Sequence, residues 1–141
     1  MPQSNVLRGS IDDLNRPYVK LTIAGFAEPL TAFIDTGFNG SLIVDRDQAQ
    51  RMGFETTSQH YVSAVLASHR PEVFLLSRGR ITWFGEQVFL SALVIQESDH
   101  ERVTRRRRKR QEEIVLGVEL LFNCRLEIDF SERSVLIKRL D

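Results

Sequence analysis

Short segments in which apolar and polar residues alternate are the feature that most constrains the fold of this chain. Residues 19–23 and 125–130 show the alternation clearly, and a period of two is typical of strands with one buried and one solvated face. Turn-forming residues separate such segments. The predicted strands cover residues 17–24, 30–34, 41–44, 61–66, 73–76, 80–84, 87–95, 126–130 and 135–140. The pattern predicts a mostly β, largely antiparallel fold.

Two short helices are predicted between the strands. Residues 45–52 fit a helix because Asp45 can cap its N-terminus and Gly53 follows as a C-terminal stop. Residues 118–123 fit a further turn or two of helix. With 141 residues, 42% of them hydrophobic and 27% charged, the chain has the composition of one soluble globular domain. We expect a single domain over residues 1–141 and no membrane partner, since no apolar run approaches the roughly 18 residues of a membrane span.

The tract at residues 97–113 interrupts this pattern with an unbroken basic run at residues 105–110. The chain has 19 basic and 19 acidic residues, so the remainder of the molecule carries a net charge of −6. Dense like charges with almost no apolar content predict a flexible, solvated loop that interrupts the domain without dividing it. Three functions stay open for the run: a patch for nucleic acid or another anionic surface, a solvated linker, or a processing or regulatory element.

The sequence also bears on location and on metal binding. The N-terminal residues show no apolar central region or small-residue cleavage pattern, and the lone Cys124 cannot form an intrachain disulfide. Both features favour a cytoplasmic protein, with Cys124 as a small buried side chain. His60, His69 and His100 are scattered without a second ligand at useful spacing, so we expect neither a metal site nor a cofactor.

The segment at residues 33–44 contains the candidate catalytic residues. An apolar strand leads into Asp35, Thr36 and Gly37, and a second apolar strand follows at residues 42–44. An aspartate before a glycine turn is common in hairpins, so this motif alone does not indicate catalysis. Far later in the chain, an apolar segment at residues 114–116 runs into Gly117 and a short amphipathic turn. The two motifs in this order are far more specific than either alone.

In this order of motifs the chain resembles the retropepsin-like aspartic proteases, and most closely their small single-domain prokaryotic members. The resemblance extends over residues 17–140, with the basic tract as an interruption. It implies a mostly β, single-domain fold with a closed sheet and one or two short helices, completed as a homodimer. It also implies an aspartic endopeptidase that holds a peptide or protein substrate in an extended conformation.

Hydrolysis of a peptide bond without a metal needs one group to take a proton from water and another to protonate the substrate carbonyl. Two carboxylates that share one proton can do both. The resemblance gives this role to Asp35, with the Thr36 hydroxyl bonding across to the opposing chain and Gly37 allowing close approach of the backbone. Because the chain has only one such motif, the second carboxylate has to be Asp35 of another copy. A monomer is therefore expected to be inactive.

The resemblance also implies substrate-binding residues. The flap, a hairpin that covers the cleft, corresponds to residues 61–76, with Ala67, Ser68 and His69 at its tip. Related flaps usually carry a glycine there, whereas this one has none. Phe38 either shapes a substrate pocket or packs in the core. The alternating residues 135–140 could add a strand to a partner, because the chain termini in the family help to form the dimer sheet.

Two other functions remain open. A retropepsin-like module that dimerises and holds extended peptides without cutting them is the main alternative, and the missing flap glycine is its best support. A nucleic-acid-binding protein is less favoured, because the basic run adjoins no aromatic platform or recognition helix. The resemblance also implies that the basic run lies beside the substrate cleft, where it could recruit acidic substrates or dock over the acidic body and restrain activity.

Overall fold

The computed structural model describes residues 4–65, 71–95 and 113–140. Within these ranges the chain is mostly β, as the alternation predicts, with ten strands in a single sheet and one short helix. The elements in chain order are β1 (Val6–Ile11), β2 (Pro17–Leu21), β3 (Leu30–Ile34), β4 (Leu42–Val44), α1 (Arg46–Arg51), β5 (Glu55–Val65), β6 (Pro71–Trp83), β7 (Glu86–Ile95), β8 (Glu113–Leu116), β9 (Cys124–Asp129) and β10 (Ser134–Arg139).

The sheet is mixed and open. Its strand order is β5-β6-β7-β4-β8-β3-β2-β1-β10-β9. β3 runs parallel to β8 and β4 runs parallel to β7, whereas the other pairings of the described strands are antiparallel. A closed sheet was expected, but no ladder among the described residues joins β5 to β9. These two strands therefore form the edges of an open sheet.

Most predicted strands are confirmed, with shifts at their ends, and β3 coincides with the predicted residues 30–34. The two strands predicted at 73–76 and 80–84 form one continuous strand, β6. Gly79 lies inside β6. A glycine is needed at this position because the ring of Phe54 occupies the space where a Cβ would stand. β1 was not predicted, since its sequence does not alternate clearly, and it forms between two partners, β2 and β10.

The helix predicted at residues 45–52 is confirmed as α1. The Asp45 carboxylate accepts a hydrogen bond from the Gln48 N–H at 2.6 Å, and the Gln48 side chain accepts one from the Asp45 N–H at 2.9 Å. This reciprocal pair is a capping box. Gly53 follows the helix with a φ of +74°, a left-handed conformation that ends helices. Gln48 also donates to the Glu113 carbonyl at 3.0 Å, which ties α1 to β8.

The second predicted helix, at residues 118–123, is not present as an α-helix. The N–H groups of Leu120, Leu121 and Phe122 bond to carbonyls three residues earlier, which forms successive tight turns. These turns carry the chain from the end of β8 into β9.

The sheet buries apolar side chains on both faces, because successive side chains of a strand point to opposite sides. In β4, Leu42 and Val44 belong to the larger hydrophobic cluster, whereas Ile43 belongs to a smaller one with Phe38, Phe74 and Leu93. The larger cluster also takes in α1 through Ala49 and contains Trp83 and Phe84. The central strands are therefore covered on both sides.

Several predicted features lie outside the described residues. They are the basic run at residues 105–110 and the flap-tip residues Ala67, Ser68 and His69. Within the described ranges, no helix is long and apolar enough to cross a membrane.

Candidate active site

Asp35 lies where β3 ends, beside the end of β8. β3 and β8 are parallel, with Ile34 opposite Leu116. The ladder continues one step beyond the strand, since the Asp35 N–H donates to the Leu116 carbonyl at 2.9 Å. The backbone of the candidate catalytic residue is thus anchored to a strand that is buried on one face and half-buried on the other.

A tight turn follows at Asp35 and orients its carboxylate. The Phe38 N–H donates to the Asp35 carbonyl at 3.1 Å, which closes the turn. The Gly37 N–H donates to one carboxylate oxygen, Oδ1, at 2.9 Å. Within the described ranges the other oxygen, Oδ2, accepts no hydrogen bond. Asp35 is half-buried and Thr36 and Gly37 are exposed, so the free side of the carboxylate remains accessible.

The loop after Asp35 is locked to the second glycine segment. β8 lies between β3 and β4 and pairs with both, so the loop at residues 35–41 crosses the end of β8. Gly117 donates its N–H to the Ser41 carbonyl at 2.9 Å, and Val118 donates to the Phe38 carbonyl at 2.9 Å. Glu119 donates to the Gly40 carbonyl at 3.1 Å. The two motifs that the sequence places far apart therefore form one hydrogen-bonded unit.

Phe38 is the packing centre of this unit. Its side chain is 2% exposed and belongs to the smaller hydrophobic cluster. The ring lies close against the backbone of Gly40, where an added Cβ would come within 2.6 Å of Cζ. Of the two roles left open for Phe38, burial favours packing within the chain over direct contact with a substrate.

A half-buried strip of two aromatic residues and a valine borders the Asp35 turn. Phe33 lies two residues before Asp35, so the two side chains share a face by strand alternation. The Phe33 ring meets Tyr18 edge to face at a centroid distance of 6.0 Å, and the Arg16 guanidinium lies 4.0 Å from its centroid. Val115, opposite Phe33 on β8, is also half-buried. This strip was not predicted, although the spacing of Phe33 and Asp35 was a signal for it.

The structure brings together Asp35, Thr36, Gly37 and Phe38 on one turn, as their adjacency requires, and adds the Gly117 segment beneath them. The predicted flap-tip residues cannot be placed against this turn because they lie outside the described residues. Within the described ranges, no group of three or more His, Cys, Asp or Glu side chains is arranged to hold a metal ion.

The arrangement offers one carboxylate with a fixed backbone donor, an open face and an apolar border. Such a group can accept or donate a proton beside an extended ligand, but it provides only half of a carboxylate pair. Comparison with protein-family models finds no match, and comparison with curated proteins finds none either.

Proposed function

We propose that the chain is an aspartic endopeptidase that works as a homodimer, with one Asp35 carboxylate from each copy. The observation that carries the proposal is the Asp35 carboxylate itself, held on one side by the Gly37 N–H at 2.9 Å and open on the other. A turn-forming aspartate needs no accessible oxygen and no second glycine segment locked beneath it. Both features support a group that is placed for chemistry.

The proposed reaction uses the two carboxylates as a pair that shares one proton, because two like charges a few ångströms apart resist double ionisation. The ionised carboxylate takes a proton from water as the water oxygen attacks the peptide carbonyl carbon. The protonated carboxyl gives its proton to the carbonyl oxygen. When the tetrahedral intermediate collapses, the C–N bond breaks and the amine leaves with a proton from the pair.

The second carboxylate is assigned to another copy. The next aspartate along this chain, Asp45, stabilises the fold instead. Asp45 is 5% exposed and caps α1. A two-fold axis beside the Asp35 turn would bring two identical carboxylates together. The exposed Thr36 is free to contact the second copy, and the exposed Gly37 leaves room for it.

The retropepsin-like fold belongs to the same proposal. Its support is the loop that crosses from β3 to β4 over the end of β8, with Gly117 packed beneath it. The half-buried strip of Phe33, Tyr18 and Val115 supports an extended peptide substrate with apolar side chains near the cleaved bond. Ala67, Ser68 and His69 are proposed to cover that peptide as the flap tip.

The test compares cleavage of an unstructured protein mixture by the wild-type chain and by Asp35→Asn, from about pH 3 to pH 8. Asp13→Asn is the matched control, because it makes the same chemical change at an exposed position in the β1–β2 turn. Products are identified by mass spectrometry. We expect cleavage by the wild type and the control, none by Asp35→Asn, and a decline towards alkaline pH as the shared proton is lost.

Cleavage that survives Asp35→Asn would contradict the proposal. Absence of cleavage at every pH by a dimeric wild type would also contradict it, and binding of extended peptides by that dimer would favour the non-cleaving module instead.

A further inference from the structure

Among the described strands, β9 has a pairing partner on one of its two sides and none on the other. It pairs with β10 and ends the strand order of the sheet. The C-terminal strand β10, in contrast, was expected to add to a partner but is paired with β1 on one side and β9 on the other. Of these two strands, only β9 has a free edge for another strand.

The ladder shows which groups of β9 point outward. The Leu140 N–H donates to the Asn123 carbonyl at 2.8 Å, so these two residues form a hydrogen-bonded pair that extends the β9–β10 ladder. Because such pairs alternate along an antiparallel ladder, residues 125, 127 and 129 bond to β10. Cys124, Leu126 and Ile128 therefore direct their N–H and C=O groups away from the sheet, as unpaired groups of an edge strand do.

The exposed face of β9 carries charges that are not paired within the described chain. Arg125 and Glu127 are both exposed, and among the described residues no ion pair includes either one. Arg125 lies directly opposite Lys138 on β10, a like-charge neighbour that slightly destabilises a sheet. An acidic residue on a strand beyond β9 would relieve this arrangement.

We propose that β9 pairs antiparallel with β9 of a second copy, about a two-fold axis at Leu126. In this register Arg125 of each copy lies opposite Glu127 of the other, so two pairs of opposite charge form across the interface. Moving the axis to Glu127 would place two glutamates opposite each other, and moving it to Arg125 would place two arginines opposite each other. Charge complementarity therefore selects the Leu126 axis among the neighbouring symmetric registers.

The exposed aromatic residues at the two ends of β9 select the same register. Phe122 is 86% exposed just before the strand, and Phe130 is 59% exposed just after it. An axis at Leu126 puts Phe122 of each copy opposite Phe130 of the other. At both ends of the paired β9 strands, which we call the β9 joint, two large apolar side chains that are costly to expose would then cover each other.

The joint lies close to the candidate active site along the chain. The turn that begins at Gly117 bonds to the Asp35 loop through Val118 and Glu119, and it ends at Asn123, directly before β9. The inference rests on the proposed function, in which the Asp35 pair is incomplete without a second copy. Its test, however, uses association alone and does not depend on cleavage.

The first test reverses single charges and measures the mass in solution by sedimentation. We expect the wild type to be a dimer, and Arg125→Glu or Glu127→Arg alone to raise the dimer dissociation constant on the order of 10-fold to 100-fold. A mixture of the two variants restores complementary pairs at both positions and should re-form the dimer. Arg8→Glu, on the interior strand β1, is the matched control and should leave the dimer unchanged.

The second test reads the register by cross-linking, in a Cys124→Ser background. Residues 125 and 127 face each other across the proposed joint as a non-hydrogen-bonded pair, where Cα atoms lie about 4.5 Å apart, which suits a disulfide. Arg125→Cys mixed with Glu127→Cys should give oxidised heterodimers, whereas each variant alone should remain unlinked. Self-linking of Glu127→Cys or of Arg125→Cys would indicate another register and overturn the proposal.

A monomeric wild type, an Arg125→Glu variant that dimerises as tightly as the wild type, or variants that fail to recover on mixing would each overturn the inference. Unfolding is not the expected result of Arg125→Glu, since the new carboxylate faces Lys138. If the β9 joint is found but no peptide is cleaved, the proposed function fails and the joint stands. If peptides are cleaved by a dimer whose dissociation constant is unchanged by these substitutions, the β9 joint is wrong and the proposed function stands.

Discussion

Gly117 packs directly against the carbonyl of Gly40, so that a Cβ at position 117 would overlap the Gly40 carbonyl oxygen. The atom that would be displaced is backbone, and that backbone belongs to the loop that positions Asp35. The N–H of Gly117 also donates to the Ser41 carbonyl at 2.9 Å. The absence of a side chain at Gly117 is therefore a requirement of the candidate active site.

We predict that Gly117→Ala destabilises the chain by more than about 2 kcal/mol, because two backbone segments must separate. Cleavage should be lost with it, since the Asp35 loop moves. Gly53→Ala is the matched control: Gly53 has a left-handed φ of +74° but nothing within 4 Å of the added Cβ, so the cost should be about 1 kcal/mol. Urea unfolding of both variants measures the difference. Equal losses of stability would show that the two loops are not locked together as described.

Substitution of Phe38 separates its two possible roles. A buried ring that only packs should cost about 3–5 kcal/mol of unfolding free energy when truncated in Phe38→Ala. Phe38→Leu keeps most of the volume and should cost about 1–2 kcal/mol while leaving the set of cleaved bonds unchanged. The measurements are urea unfolding and mass spectrometry of the products. An altered set of cleaved bonds at unchanged stability would instead make Phe38 a substrate-contacting residue.

Asp129, the last residue of β9, should contribute to the acid sensitivity of the fold. The Ser131 hydroxyl, which donates to its carboxylate at 2.7 Å, and the Glu132 N–H, at 3.1 Å, hold the pKa of Asp129 below its ordinary value. A lowered pKa in the folded state means that this contribution is present above about pH 4 and is lost as the pH falls through the folded-state pKa.

We therefore expect Ser131→Ala to raise the pKa of Asp129 towards its ordinary value, as followed by NMR titration of the carboxyl group. Asp129→Asn should lower stability slightly at neutral pH and should lose less stability on acidification than the wild type does. Asp13→Asn serves as the charge-matched control in unfolding experiments at both pH values. A titration of Asp129 that Ser131→Ala does not move would show that the hydroxyl is not responsible for the shift.

Local sequence rules predicted the elements whose stability comes from neighbouring residues. Asp45 and Gln48 lie three residues apart and form the capping box that begins α1. β3 was predicted with its observed bounds from the apolar run at residues 30–34. The Asp35 turn follows from Asp35 and Gly37, because the hydrogen bond between them spans two residues. In each case the partners are close in the chain, so the pattern alone carries the information.

Features that depend on distant partners were missed or predicted wrongly. β1 does not alternate clearly and is held by β2 and β10. Two strands were predicted at residues 73–76 and 80–84, but β6 runs without a break through Gly79, where the ring of the distant Phe54 occupies the space of a Cβ. The strip around Phe33 depends on Tyr18 of β2 and on Arg16, which directly precedes that strand.

The sequence by itself determined the strand-rich character of the protein, the capped helix and the carboxylate on a glycine turn, because backbone geometry and short-range hydrogen bonds set these features. Only the tertiary structure decided that β10 is interior and β9 an edge, that the sheet is open, and that Phe38 is buried beneath the Asp35 loop. Strand order and burial result from pairings between residues far apart in the chain, and a local pattern is compatible with many such pairings.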